Sequence, residues 1–177
     1  MGTAGLVRVD EPIAVKSLPE FDELYETYAD TVYRTALRVT GNSADAEDVL
    51  QNVFLRVFNN RIVIDETKSP AAYLRRAATN TSIDLLRQRA ARPDTQGPAL
   101  EDGGQYDRSS RQTPPLLKEA LRRALARVAP ADAELFVLCY LEGYSYEELA
   151  GLFAMETGTV ASRLFRIRAA LRKDLSR

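Results

Sequence analysis

Ser145–Arg168 reads SYEELAGLFAMETGTVASRLFRIR, and the way this stretch divides sets the fold of its end of the chain. Ser145 followed by Glu148 is a capping box, in which each side chain satisfies a backbone N–H of the other residue. Leu149, Leu152 and Phe153 follow at helical spacing, so a short helix, a tight turn and a longer helix from about Thr157 are expected. Projected at about 100° per residue, Val160, Leu164, Ile167, Leu171 and Leu175 share one face and must pack inward. The opposite face carries Thr159, Ser162, Arg166 and Lys173, with Arg163, Phe165 and Arg168 toward its flanks. This is the helix-turn-helix plan, whose second helix enters the major groove. Arginine suits that place because its planar fork matches guanine edges and phosphates alike. The plainer reading is a solvated face on an amphipathic terminal helix. The capped short helix in front of it favours nucleic acid.

Upstream, Pro93–Pro115 (PDTQGPALEDGGQYDRSSRQTPP) holds four of the eight prolines and three of the nine glycines with no regular period, and reads as a linker. Before it, Phe21–Thr40 repeats apolar residues near the helical period and is stopped by Gly41 and Asn42. Ser43 is the expected cap of a second helix, Ala44 to Phe58, with Val49, Leu50, Val53, Phe54 and Val57 on one side and Asp45, Glu47, Asp48 and Gln51 on the other. Asn59–Ser69 reads as a loop, and Pro70 opens a third helix to about Ala91. After the linker, Leu117, Leu121, Leu125 and Val128 stripe one helix, and Pro130 to Leu141 forms another that Gly143 ends. The expectation is an all-α chain of two small helical domains joined by a flexible linker: an extension at 1–20, domains at 21–92 and 116–177, and the linker at 93–115.

With 45% apolar and 28% charged residues among 177, the composition is that of a packed globular protein. The longest apolar run, Leu135–Leu141, is too short to span a bilayer, and MGTAGLVRVDEP lacks a signal peptide's apolar core. No membrane insertion and a cytoplasmic location are expected. The single cysteine, Cys139, lies in that apolar run and reads as a buried small hydrophobe. There is no histidine, which removes the usual general base and the commonest zinc ligand. Asp45, Glu47 and Asp48 lie within one helical turn, but carboxylates at those offsets do not converge on one ion. No metal, cofactor or catalytic residue is expected.

The net charge of −1 conceals a sharp separation. Thr157–Arg177 holds six basic residues against Asp174, a net of +5, and Ala72–Arg92 holds five arginines against Asp84, a net of +4. Glu20–Gln51 holds eight acidic residues against Arg34 and Arg38, a net of −6. The basic helices suit phosphate, whereas the acidic face would be repelled by DNA and needs solvent or a basic protein partner.

Three segments together resemble the extracytoplasmic-function (ECF) sigma factors of the bacterial sigma-70 family: DAEDVLQNVFLRVF (Asp45–Phe58), AAYLRRAATNTSIDLLRQR (Ala71–Arg89) and YLEGYSYEELAGLFAMETGTVASRLFRIRAALRKDL (Tyr140–Leu175). The resemblance covers nearly all of 21–92 and 116–175, in order. It implies a promoter-specificity subunit of RNA polymerase, with a sigma-2 and a sigma-4 domain and no catalytic activity of its own. It assigns Asp45, Glu47, Asp48, Gln51 and Phe54 to docking on the clamp of the largest subunit of core polymerase. Phe54 also reads as core, since its spacing matches Leu50. For single-stranded DNA at the −10 element, the resemblance assigns Tyr73, Arg75, Arg76, Asn80, Asp84 and Arg87. Tyr73, where the family commonly has tryptophan, reads equally as a core aromatic, and Asp84 as structural. For duplex DNA at the −35 element it assigns Thr159, Ser162, Arg163, Phe165 and Arg166. It further implies an anti-sigma factor as a partner.

The chain departs from the family pattern at Ala161 and Thr79, where basic residues are common, and at Ala154 and Glu156, where the turn usually has glycine and proline. The turn is therefore expected to be built differently. A conventional helix-turn-helix regulator is the competing reading, and it leaves the acidic helix and the Asn80 helix without a purpose. Elements about 18 base pairs apart lie roughly 60 Å apart. A free coil of the linker's length averages only about 25 Å. The linker must then be drawn out in a working complex.

Overall fold

The computed structural model describes residues 18–60, 69–91 and 114–176. Among them the chain forms seven helices and no strand: α1 (Leu18–Thr40), α2 (Ser43–Asn60), α3 (Pro70–Ala91), α4 (Pro115–Arg127), α5 (Pro130–Tyr140), α6 (Tyr146–Leu152) and α7 (Thr157–Leu175). The all-α expectation holds. Residues 1–17 of the expected extension, most of the loop before Pro70 and most of the linker lie outside the described residues, whereas Leu18–Glu20 already belong to α1, Asn59 and Asn60 to α2, and Pro115 to α4.

The cap of α2 differs from the sequence reading. Asn42, not Ser43, closes it, with the Asn42 Oδ1 accepting from the Asp45 N–H at 3.1 Å. Both residue types cap well, and Ser43 is already helical, so the register set by Gly41 decides between them. Gly41 has φ 69 and donates its N–H to Leu37 at 2.8 Å, which ends α1. The expected capping box at α6 is present: Ser145 Oγ accepts from the Glu148 N–H, and Glu148 Oε2 accepts from the Ser145 N–H at 2.8 Å. The turn between α6 and α7 places Ala154 at φ 49, so the left-handed conformation that glycine would supply is retained with alanine.

The helices α1, α2 and α3 pack around Leu24, Val32, Ala36, Val49, Val53, Phe54, Val57, Leu74 and Ala78. A second core gathers α4 to α7 around Leu125, Leu135, Leu138, Leu149, Val160, Leu164, Ile167 and Leu171. A fully buried leucine such as Leu164 contributes about 2 kcal/mol, and Leu164→Ala is expected to cost about 3 kcal/mol. The second core also includes Val39 of α1 and Ile83 and Leu86 of α3, so the two halves share packing. The third helix is buried on two sides. Leu74 and Ala78 face the first core, while Ile83 and Leu86 face α4 and α5.

Leu117 and Leu175, expected inside, are exposed near helix ends, and Cys139 is half-buried against the second core.

Candidate nucleic-acid and protein interfaces

On α7 the inward face is filled by Val160, Leu164, Ile167 and Leu171, all buried. Thr159, Ser162, Phe165 and Arg166 stand exposed on the outside, with Phe165 65% exposed. Ser162 Oγ donates back to the Thr159 carbonyl at 3.0 Å, which leaves its lone pairs outward as acceptors. Arg163 is different. Its Nε donates to Asp132 in the first turn of α5 at 2.6 Å, and both side chains are about one-third exposed. The short helix α6 is fixed by Leu149, fully buried, so the two helices present their outer faces as one unit.

Beside this face Tyr140 is exposed and its ring lies 4.8 Å from that of Phe136. Burial raises the Tyr140 hydroxyl above its ordinary value, and a hydrogen bond with Tyr146 adds to this. Burial likewise raises the Cys139 thiol, against the attraction of Arg168.

On α3, several side chains assigned from sequence to single-stranded DNA have protein partners. Arg76 forms an ion pair with Glu134 of α5, and Asn80 Nδ2 donates to the same carboxylate oxygen at 3.1 Å. The Arg76 guanidinium also sits 4.7 Å from the centre of the Phe153 ring. Arg87 Nη1 donates to the Val128 carbonyl at 3.0 Å. Asp84 is exposed and helps line an open crevice of about 310 Å³ with Asn80, Ile83, Pro130, Ala131 and Glu134. Arg75 is half-buried, as is Tyr73, which packs against the first core.

On α2, Asp45 does not lie on the outer side as the sequence reading has it. It stands four residues before Val49, on the buried side, and pairs with Arg89 of α3. Burial raises its carboxyl above the usual range, with the Arg89 guanidinium opposing the shift, and its Oδ2 has no hydrogen-bond partner among the described residues. Glu47, Asp48 and Gln51 are exposed. Phe54 is 3% exposed, its ring 4.8 Å from Tyr25 and 6.1 Å from Phe21. Sequence reasoning missed what continues the acidic face: Leu55 and Phe58, both about half exposed, lie within one helical turn of Gln51 and Leu55 respectively. The offsets from Asp48 to Leu55 and from Gln51 to Phe58 are both seven, which places them on one stripe. The outer face of α2 is thus acidic at its start and apolar at its end.

The Sigma-70 region 2 family profile matches residues 24–92, and the Sigma-70 region 4 profile matches residues 118–171. Over 158 residues the chain is 35% identical to the ECF RNA polymerase sigma factor SigL of Mycobacterium tuberculosis, covering 86% of each protein. The chain belongs to the ECF sigma factors. This sigma factor is also 35% identical to SigE of Mycolicibacterium smegmatis over 91% of its own length, spanning 63% of that protein. It is 31% identical to the sigma-E factor of Streptomyces coelicolor, covering 86% of that protein. Its fold matches RpoE of Bartonella quintana, solved with the anti-sigma factor NepR, at a TM-score of 0.52, 21% identity and 90% of this chain. It also matches CnrH, solved with the cytosolic domain of CnrY, at 0.51, 21% identity and 91% of this chain. No helix of the sigma factor among the described residues is long and apolar enough to cross a membrane.

Proposed function

We propose that this sigma factor docks on the clamp of core RNA polymerase through the outer face of α2 and directs the enzyme to promoters, reading duplex −35 DNA with α7 and single-stranded −10 DNA with α3. The observation that carries the reading is Phe165, 65% exposed between Ser162 and Arg166 on a helix whose inner face is already full. A side chain of that size left in water forgoes about 1.5–3 kcal/mol of burial, and a thymine methyl in the major groove offers it cover.

Glu47, Asp48 and Gln51 supply the charge for polymerase docking, and Leu55 and Phe58 the apolar contact beyond them. In this reading Asp45 and Phe54 act from within, by fixing α2 against α3 and α1. The chain functions as a sigma-2 domain at 21–92 and a sigma-4 domain at 116–177, with the linker drawn out through polymerase. It works in the cytoplasm, adds specificity rather than chemistry, and uses no cofactor. The solved neighbour RpoE is a complex with an anti-sigma factor, and an inhibitor of that kind is proposed to hold this chain as well.

Run-off transcription with purified core polymerase on genomic promoter fragments tests the reading, comparing wild type with Asp48→Arg and Arg166→Ala. Promoter-specific transcripts that require this protein and fall with both substitutions are expected. No transcript, with duplex binding intact and independent of polymerase, would leave a conventional helix-turn-helix regulator.

A further inference from the structure

We propose that the free sigma factor self-associates, with the aromatic and acidic face shared by α1 and α2 of one copy docking on the aromatic and basic outer face of α7 of a second copy. The first face is built where the start of α1 meets the end of α2. Phe21 lies edge-on to Phe58 at 5.3 Å, and Tyr25 edge-on to buried Phe54 at 4.8 Å. Tyr25 and Phe58 are thus held in place while 41% and 48% exposed. Asp22 and Glu26 flank Tyr25 one helical turn apart, both exposed and without an ion-pair partner among the described residues. On α7 the counterpart is Phe165, with Arg166, Arg168 and Arg172 exposed around it. Arg168 and Arg172 repeat the spacing of Asp22 and Glu26, so a pair of cations meets a pair of carboxylates beside an aromatic ring on each side.

Within one copy the two faces do not meet. The first helix packs on α2 and α3, whereas α7 packs on α4, α5 and α6, and both outer faces stay exposed. The chain is strongly polarised yet nearly neutral, −6 over its acidic segment and +5 on α7 within a net −1. Copies therefore lack the mutual repulsion that a high net charge provides, while their unlike faces attract. The rings add what charge alone does not: apolar area to bury, and in Tyr25 a face on which arginine stacks. Since every copy carries one face of each kind, the contact is heterologous, and it extends from copy to copy unless two copies close on each other. Neither DNA nor polymerase takes part, so the association stands apart from the promoter reading above. Where that reading holds, the association occupies the docking side of α2 and the outer face of α7 together.

Sedimentation velocity of the full-length protein tests this across protein and salt concentration, with circular dichroism confirming retained helix. Wild type is expected to gain mass with concentration at low salt and to return to monomer near 1 M salt, where the Debye length falls to about 3 Å. Asp22→Lys/Glu26→Lys and Arg168→Glu/Arg172→Glu each leave two faces of like charge, and each alone is expected to associate about tenfold more weakly or less. An equimolar mixture of the two should associate again, because the reversed faces match each other. Tyr25→Ser leaves the net charge unchanged and is expected to weaken association about tenfold as well. A wild type that stays monomeric at low salt, a charge-reversed variant that associates as wild type does, a mixture that stays monomeric, or a Tyr25→Ser protein that associates as wild type does would each overturn the proposal. None of these results depends on transcription, so failure here leaves the promoter reading to its own test.

Discussion

Arg163 of α7 and Asp132 of α5 are joined at 2.6 Å, so one arginine on the flank of the outward face of α7 is held by the protein itself. Asp132 lies in the first turn of α5, where a carboxylate is already favoured by the helix dipole. Arg163 and Arg166 of α7 are therefore expected to respond differently to truncation. Arg163→Ala is expected to lower stability by about 1 kcal/mol, read from urea midpoints. Arg166→Ala should stay within about 0.5 kcal/mol of wild type while weakening −35 binding in holoenzyme about tenfold or more. Equal loss of stability in both variants would dissolve the distinction.

The capping box at α6 gives a pH dependence of known sign. Hydrogen bonds from the Ser145 backbone and hydroxyl hold the Glu148 carboxyl below its ordinary value. Since the folded value is the lower one, the stabilisation is complete above the unfolded carboxylate range and is lost as pH falls through the folded value. Glu148→Gln keeps the acceptor but does not titrate. The advantage of wild type over E148Q in melting temperature should therefore shrink on acidification. Ser145→Ala should cost about 1 kcal/mol at neutral pH.

Ala154 holds φ 49 in the turn between α6 and α7. Left-handed backbone costs a residue with a Cβ about 1–2 kcal/mol, and glycine avoids it at the expense of about 0.4–1 kcal/mol of unfolded-chain entropy. Ala154→Gly should therefore raise stability by about 0.5–1 kcal/mol, measured by thermal melting, with −35 recognition unchanged.

Arg89 is the charge partner of buried Asp45. Burial raises the Asp45 carboxyl and Arg89 opposes the rise, so removing Arg89 lets it climb further. A raised folded value gives stability that is full below the unfolded pKa and lost as pH rises through the folded one. Arg89→Ala is therefore expected to cost about 3 kcal/mol at neutral pH and clearly less near pH 4, with Asp45→Asn/Arg89→Ala recovering part of the neutral loss. Urea midpoints at the two pH values check this. An equal loss at both would show that Asp45 does not carry the effect.

Local chemistry was readable directly from the chain. The Ser145 and Glu148 offsets marked the capping box, Pro70 and Pro130 marked helix starts, and the Val160, Leu164, Ile167, Leu171 spacing marked the inner face of α7. What escaped depended on distant partners. Asp45 looked like a surface acid because its neighbours in sequence are Glu47 and Asp48, and only the approach of α3 buries it. Glu134 sits just before an apolar run, and nothing around it in sequence signals its pairing with Arg76, 58 residues away. Leu55 and Phe58 were legible in principle, since their offsets from Asp48 and Gln51 place them on the acidic stripe.

The arginines of α3 carry one last consequence. Arg76, Arg87 and Arg89 each face a protein oxygen, so much of the helix's formal +4 is screened from passing polyanions. Each phosphate contact forgone removes about 0.9 from the logarithmic dependence of DNA affinity on salt. A chromosome offers millions of irrelevant sites, and a subunit with open basic helices would be absorbed by them. With its charges held by protein oxygens, α3 offers such sites little, and the salt dependence of stray DNA binding is left to the exposed basic residues of α7.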